Sequence, residues 1–374
     1  MSTTPTSSVA AVVKIETHAR PKKALVRRQA QNLSQRVRRV VQVVFLVLNA
    51  WLAIEFLLWT RYFERSGQTR YFERPAGVDG WLPIAGLMNL KYLFVVHRVP
   101  AVHPAAMVLA AAFLLSSLLL KKTFCSWLCP VGTVSECLWK LGRRLMRRNL
   151  VVPRWLDIPL RSLKYILMAF FLFIVLSMSA EALNDFMAAP FGIIADVKML
   201  NFFREIGVTG LLVLGALVLL SIFIQNFWCR FLCPYGALMG LVSALSPVRI
   251  RRDEQACIDC GKCNKACPAS LPVDKLVRIR SMECTSCMEC VAACPAENAL
   301  QLALLPRKAA ETPAARWRNR ALQPRMVAAV LALIFFGLVG AARATGHWQT
   351  NVPRDVYMQL VPHADEYGHQ ESLN

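Results

Sequence analysis

The sequence predicts an all-α polytopic membrane protein, with about five transmembrane helices and a small α+β cysteine-rich domain. Three observations predict it. Of 374 residues, 56% are hydrophobic and mean hydropathy is +0.41. That exceeds the apolar share of a soluble domain, and the excess is gathered into runs long enough to cross a bilayer. The 44 Lys and Arg against 23 Asp and Glu cluster in alternate connecting segments, as cytoplasmic loops do. Eight of the 13 cysteines fall between Cys257 and Cys294, in two copies of one spacing.

Residues 1–40 form a basic arm, with nine Lys and Arg and the single acid Glu16. Such an arm suits anionic lipid. The membrane core runs over 41–248 and holds four spans, at about 41–59, 105–120, 165–183 and 207–228. Glu55 lies near the outer end of the first span, where it is expected to reach the interface or pair with Arg61; an acid at that depth is costly. The loop that follows repeats Thr60-Arg-Tyr-Phe-Glu-Arg65 as Thr69-Arg-Tyr-Phe-Glu-Arg74, a pattern expected at the headgroup belt. Residues 80–94 are apolar but short and interrupted by Pro83 and Lys91, which predicts a re-entrant or interfacial helix. The cysteine-rich domain occupies 249–305, a basic linker 306–325, a fifth transmembrane helix 326–342 and an outer tail 343–374.

Three strongly basic segments alternate with three weakly charged or acidic ones. The N-terminus and cysteine-rich domain are therefore expected in the cytoplasm of a bacterium and the C-terminus in the periplasm, across the inner membrane. The positive charge (+21 formal, pI ≈ 9.9) is accounted for by this topology, so no nucleic-acid partner is expected.

The cysteine run reads Cys257-x2-Cys260-x2-Cys263-x3-Cys267-Pro268, then Cys284-x2-Cys287-x2-Cys290-x3-Cys294-Pro295. This is the bacterial dicluster ferredoxin spacing, in which the fourth cysteine of each run serves the other cluster. Cys257, Cys260, Cys263 and Cys294 are expected to hold one [4Fe–4S] cluster. Cys284, Cys287, Cys290 and Cys267 are expected to hold the other. A zinc ribbon uses two separated pairs and has no use for a crossed ligand. Disulfides would need an oxidising compartment, which the topology does not provide.

A second constellation repeats within the core: Cys125-Ser-Trp-Leu-Cys129-Pro130-Val-Gly132 and Cys229-Arg-Phe-Leu-Cys233-Pro234-Tyr-Gly236. Each copy follows an even-numbered span directly. Two copies of span–loop–span–CxxLCPxG make a pseudo-symmetric four-helix core. Cysteines at i and i+4 share a helix face, so each pair is expected to present two sulfurs in one direction. The four are candidates for a third metal centre or for redox-active thiols; small residues packed at helix ends are the alternative. Cys137 is expected to be a packed free cysteine.

The order of spans, CxxxCP, spans, CxxxCP and dicluster ferredoxin resembles the membrane polyferredoxins of the NapH type. It is similar also to the membrane portion of NosR-type proteins. The resemblance covers roughly residues 40–300. It implies a quinol-dehydrogenase-type subunit that moves electrons between the quinone pool and a redox partner protein, with quinol as a ligand. It also admits a non-enzymatic role, as a redox-active maturation or regulatory protein for a respiratory complex, including a copper enzyme. The chain departs from both groups. The short basic arm leads us to expect no counterpart of the large domain that precedes the spans in NosR-type proteins, and a fifth span and outer tail follow where NapH-type chains usually end. The tail is too short for the C-terminal domain of the related CcoG type.

Four histidines, His97, His103, His347 and His363, fall outside by this topology. His97, His103 and His347 are candidate outer-face ligands for copper or a quinone head group. No Gly-rich phosphate loop, Ser–His–Asp set or CxxCH haem site is present.

Overall fold

A computed structural model describes residues 33–147, 149–304 and 321–368. Most of the basic arm and most of the 306–325 linker lie outside the described residues.

Apolar helices lie near each of the five predicted spans, and three of them, or four if one bent pair is a single span, are long and apolar enough to cross a membrane. α1 (Ser34–Glu64), α6 (Arg154–Ser177) and α14 (Pro324–Ala344) are long and apolar enough to cross a membrane. α3 (Pro104–Leu120) has 17 residues, about 25 Å of helix. α10 (Val208–Phe223) continues the short α9 (Ala195–Arg204) through a bend of 83°. α14 packs against both α1 and α3, so the fifth helix belongs to the core.

Between α1 and α3 the chain turns back on itself. A 3-10 turn, Ala76–Trp81, runs back alongside α1: the Trp81 Nε1 donates to Asn49 Oδ1 at 3.1 Å. α2 (Pro83–Val96) then returns against α3. Gly86 permits that contact, because a Cβ there would lie 2.7 Å from the Ala106 carbonyl oxygen. The segment thus folds back against α1 and α3.

The two halves of the core exchange helices. After α3 come α4 (Thr123–Trp127) and α5 (Pro130–Met146); after α10 come a π turn (Trp228–Leu232) and α11 (Pro234–Ser243). α5 packs on α10 and α11 packs on α3. At Gly142 of α5, a Cβ would lie 1.9 Å from the Ile222 carbonyl oxygen, so only glycine allows the α5–α10 approach.

One end of the bundle gathers Phe56, Trp59 and Phe63 of α1, Ile194 and Val197, and Tyr357 and Leu360 of α15 (Arg354–Leu360). Two short helices, α7 (Ala180–Ala188) and α8 (Pro190–Ile193), close this end. The opposite end carries the cysteine-rich domain. There β1 (Val248–Arg252) pairs antiparallel with β2 (Leu300–Leu304), with Ile250 opposite Leu302. Two single-turn helices, α12 (Lys262–Ala266) and α13 (Glu289–Ala292), follow the CxxC turns.

Candidate functional site

The two cysteine runs fold alike. Asp259 and Ser286 occupy equivalent positions, as do Gly261 and Met288, and all four have positive φ, between 50° and 66°. Left-handed residues curl the backbone so that successive amides turn inward, a concavity suited to anionic sulfur. Glycine meets that demand at Gly261, whereas Met288 takes it with a side chain.

Each run closes one small cavity with the last cysteine of the other. Cys257, Cys260, Cys263 and Cys294 line the first, together with Gly261. Cys284, Cys287, Cys290 and Cys267 line the second. Both measure about 20 Å³. Cys263, Cys267 and Cys290 are buried, whereas Cys260 is exposed. The first cavity thus faces outward from the bundle.

The second cavity faces the membrane core, which grips that side of the domain. Ser126 Oγ donates to the Thr285 carbonyl at 2.6 Å, the Trp127 Nε1 to Ser286 at 3.3 Å, and Gln35 Nε2 to Cys287 at 2.9 Å. Glu283 accepts from Lys164 at 2.5 Å and from the Tyr165 hydroxyl at 2.7 Å. Arg38 of α1 bridges Glu136 of α5 at 2.6 Å and Glu289 of α13 at 2.8 Å, and Lys140 joins the same pair of acids. Burial alone would raise the Glu136 carboxyl; Arg38 and Lys140 outweigh it and hold the carboxyl at about 2.

Cys125, Cys129, Cys229 and Cys233 meet in a third cavity, of about 210 Å³, at the same end of the bundle. They are not arranged as i,i+4 partners on one helix. Cys125 lies in α4, while Cys129 is the N-cap of α5 in an extended conformation (φ −66°, ψ 121°). Cys229 lies in the π turn, while Cys233 caps α11 (φ −70°, ψ 105°). The following proline forces this: it disfavours helical backbone in the residue before it, and it opens the next helix. Convergence comes from two helix junctions meeting. The glycine of the first CPxG follows from that packing, whereas a Cβ at Gly236 would meet nothing closer than 3.5 Å. A Cβ at Gly132 would lie 2.1 Å from the Cys125 carbonyl oxygen. At Gly236 the backbone N–H donates to Cys233 Sγ at 3.2 Å.

Among the described residues, no three of these sulfurs lie within 4.8 Å of one another, nor do any three of the ferredoxin sulfurs. A tetrahedral zinc with bonds of about 2.3 Å would draw its sulfurs within about 4 Å. None of the three sets is therefore gathered as a single tetrahedral zinc would gather it. Lys122, 3% exposed, lines the third cavity. Cys287, Pro268, Ala269 and Thr285 line both this cavity and the second ferredoxin cavity, so the two sites share a wall. Cys137 is exposed, not packed. It sits on the opposite side of α5 from buried Ser135 and Trp139.

The outer-face histidines do not form a set. His97 and His347 are exposed. His103 is fully buried at the start of α3 and is engaged on both ring nitrogens. Nε2 lies 3.0 Å from the Gly192 carbonyl, which can only accept, and Nδ1 lies 3.0 Å from Asp79. Asp79, His103 and Asp196 bring three ligand atoms within 4.8 Å of one another. Arg74 fills the centre of this group, bonding Asp79, Asp196 (2.7 Å) and His103 (3.1 Å). A guanidinium there supplies the positive charge a metal would bring, so the group is an ion-pair network. Burial would raise the Asp79 carboxyl, but Arg74 and His103 hold it at about 2. Burial would lower His103, but Asp79 raises it above its ordinary value.

Sequence reasoning missed this network. Arg74 closes the second copy of the hexapeptide repeat, which reads as headgroup belt, yet it is 4% exposed. The tail likewise does more than its composition suggests: Tyr357 is buried against Trp59, ring centroids 5.0 Å apart. Glu55 forms no ion pair with Arg61 among the described residues; six residues of helix set the two on different faces.

Two family descriptions match the chain. A "4Fe-4S binding domain" matches residues 102–149 and again 206–253, the two CxxxCP repeats, and a "4Fe-4S dicluster domain" matches residues 249–295. An Escherichia coli K12 chain, YccM, whose name describes an electron transport protein, is 49% identical over 89% of this chain and 91% of its own length. The ferredoxin-type protein NapH of Haemophilus influenzae is 27% identical over 58% of this chain and 76% of its own. The regulatory protein NosR of Pseudomonas aeruginosa is 32% identical over 34% of this chain and 18% of its own. No solved structure matches.

Proposed function

The chain belongs to the NapH-like family of membrane polyferredoxins, and from that premise we propose that it carries electrons between the quinol pool and a redox partner protein. Cys257, Cys260, Cys263 and Cys294 hold one [4Fe–4S] cluster; Cys284, Cys287, Cys290 and Cys267 hold a second. Cys125, Cys129, Cys229 and Cys233 hold a third iron–sulfur centre. When bound, these groups supply one-electron transfer.

The observation that carries the proposal is the shared wall. The interhelical cysteine cavity and the second ferredoxin cavity have Cys287 and three neighbours in common. The first ferredoxin cavity then opens toward the surface at Cys260. The sequence of sites runs from the membrane core to an exposed cysteine where a partner reaches it. The chain's own residues tune that route. Lys122 brings positive charge to four thiolates, and the bonds from Gln35, Ser126 and Trp127 fix the 285–287 turn against the core. The ferredoxin domain lies on the cytoplasmic side of a bacterial inner membrane and the 343–368 tail on the periplasmic side; the alternation of basic segments supports this.

The name of the Pseudomonas relative, a regulatory protein, favours a second reading, in which the electrons serve maturation or regulation of a respiratory complex. The test of the quinol half is direct. Purified, anaerobic protein is mixed with a short-chain quinol and its visible iron–sulfur band is followed. The proposal expects bleaching. A band that dithionite bleaches and no quinol does would leave only the second reading.

A further inference from the structure

One further cavity among the described residues is used by none of the cysteine sites. It holds about 420 Å³ between α1, α3, α14 and the 72–81 loop. Most of its wall is apolar, from Phe45, Leu52, Phe113 and Phe335, and one side is polar, from Asn49, Glu55, Glu73 and Arg74. We propose that this cavity is the quinol site; the inference rests on the quinol reading above and gives it a location.

Size and lining suit an amphipathic ring with an apolar tail, since ligand pockets are mostly apolar with a few placed polar groups. The recognition element is Arg74. Its Nε and Nη2 are held by Asp79 and Asp196, so the guanidinium is fixed. Its Nη1 is buried without a partner. Arg74 is among the residues that line the cavity, so its fixed positive charge favours a quinone or quinol oxygen placed on that polar side. The position suits electron transfer. Gly80, Trp81 and Phe124 line both this cavity and the interhelical cysteine cavity. The entrance suits a lipid-soluble molecule: Trp81 and Phe336 line the cavity and are 40% and 55% exposed on the apolar surface.

Quinol oxidation breaks two O–H bonds and releases two electrons and two protons. The electrons would be taken up singly by oxidised iron–sulfur centres, which the three cysteine sets proposed above would hold. The protons go to Glu55, which is half-buried, and to Glu73, which is exposed at the end of the bundle away from the ferredoxin domain. Oxidation at this site therefore releases protons on the side opposite the clusters.

The full-length protein in detergent is labelled with a photoreactive short-chain quinone and mapped by peptide. Bound quinone is measured for wild type, Leu48→Trp and Val339→Trp; both positions line the cavity, one on α1 and one on α14. We expect label in 45–55, 72–81 or 335–349. We also expect bound quinone to fall about tenfold or more in both variants, with iron content and dithionite bleaching retained. A third variant, Glu55→Gln, is expected to keep quinone binding and slow bleaching by quinol. Label elsewhere, or undiminished binding in both Trp variants, overturns the location and leaves the quinol reading standing. Wild type that neither binds quinone nor is bleached by quinol, or that holds only phospholipid, overturns both.

Discussion

The ferredoxin cavities and the interhelical cavity are each lined by four cysteines, but they are built differently. The ferredoxin cavities measure about 20 Å³ each and are closed by tight turns within one domain. The interhelical cavity measures about 210 Å³, and its sulfurs come from two helix junctions far apart in sequence. In the first case local backbone dictates the ligand geometry. In the second, helix packing dictates it. Perturbations of packing and of local turns should therefore affect the two kinds of site separately.

The largest effect is expected from Cys290→Ser. Cys290 is buried, and a cluster is folding energy for a domain whose sheet has two strands. Loss of about four irons together with loss of ferredoxin protease resistance is expected, while the core helices persist by circular dichroism. Retention of full iron would break the assignment of this ligand.

Gly132→Ala should come next and should act on the other cavity. A Cβ 2.1 Å from the Cys125 carbonyl must push α4 and α5 apart, at a cost of about 1–3 kcal/mol. Gly261→Ala is the matched control. It has no neighbour within 4 Å, only a φ of +66° to strain, at about 1–2 kcal/mol. The first substitution should disturb the interhelical site and spare the ferredoxin spectrum. The second should do the reverse.

Glu136→Gln tests the joint between the two. It leaves Arg38 buried with one acid fewer, a loss of about 3 kcal/mol for a broken buried pair. Faster proteolysis between residues 249 and 304, with an intact bundle, is the expected result.

The smallest effect lies at the far end. The Asp79 carboxyl is depressed from 3.8 to about 2, worth about 2 kcal/mol. A depressed acid contributes stability above its unfolded value, so this part is present above pH 3.8 and lost as pH falls through about 2. His103, raised by Asp79, contributes with the opposite sign, below its ordinary pH range and less as pH rises. Hydrogen exchange of residues 354–360, which pack over this end, should quicken between pH 4 and 2. Asp79→Asn should remove that dependence.

The same contrast explains what the sequence made legible. Cysteine spacing and hydropathy are local, so both cysteine constellations and the five apolar helices could be read directly. Motif spacing alone predicts the crossed use of Cys267 and Cys294, and each lines the cavity of the other run. Packing is not local. The i,i+4 geometry of the CxxxCP pairs was misjudged because Pro130 and Pro234 break the helix between the cysteines. The hexapeptide repeat is sharper still: its first copy ends α1, whereas its second is extended and delivers Arg74 into a buried network. Identical residues took two structures because their neighbours differ. Trp81, which lines both large cavities, carried no signal beyond an aromatic in an outer loop.

The central claim is that the interhelical cysteines form a third centre adjoining the ferredoxin clusters. The most direct measurement is iron and acid-labile sulfide per chain, with EPR of the reduced protein, for wild type against the Cys129→Ser/Cys233→Ser double variant. The account predicts more iron and sulfide in the wild type, with a signal component that the variant lacks and an unchanged ferredoxin signal. Equal iron, sulfide and spectra in the two proteins would contradict it.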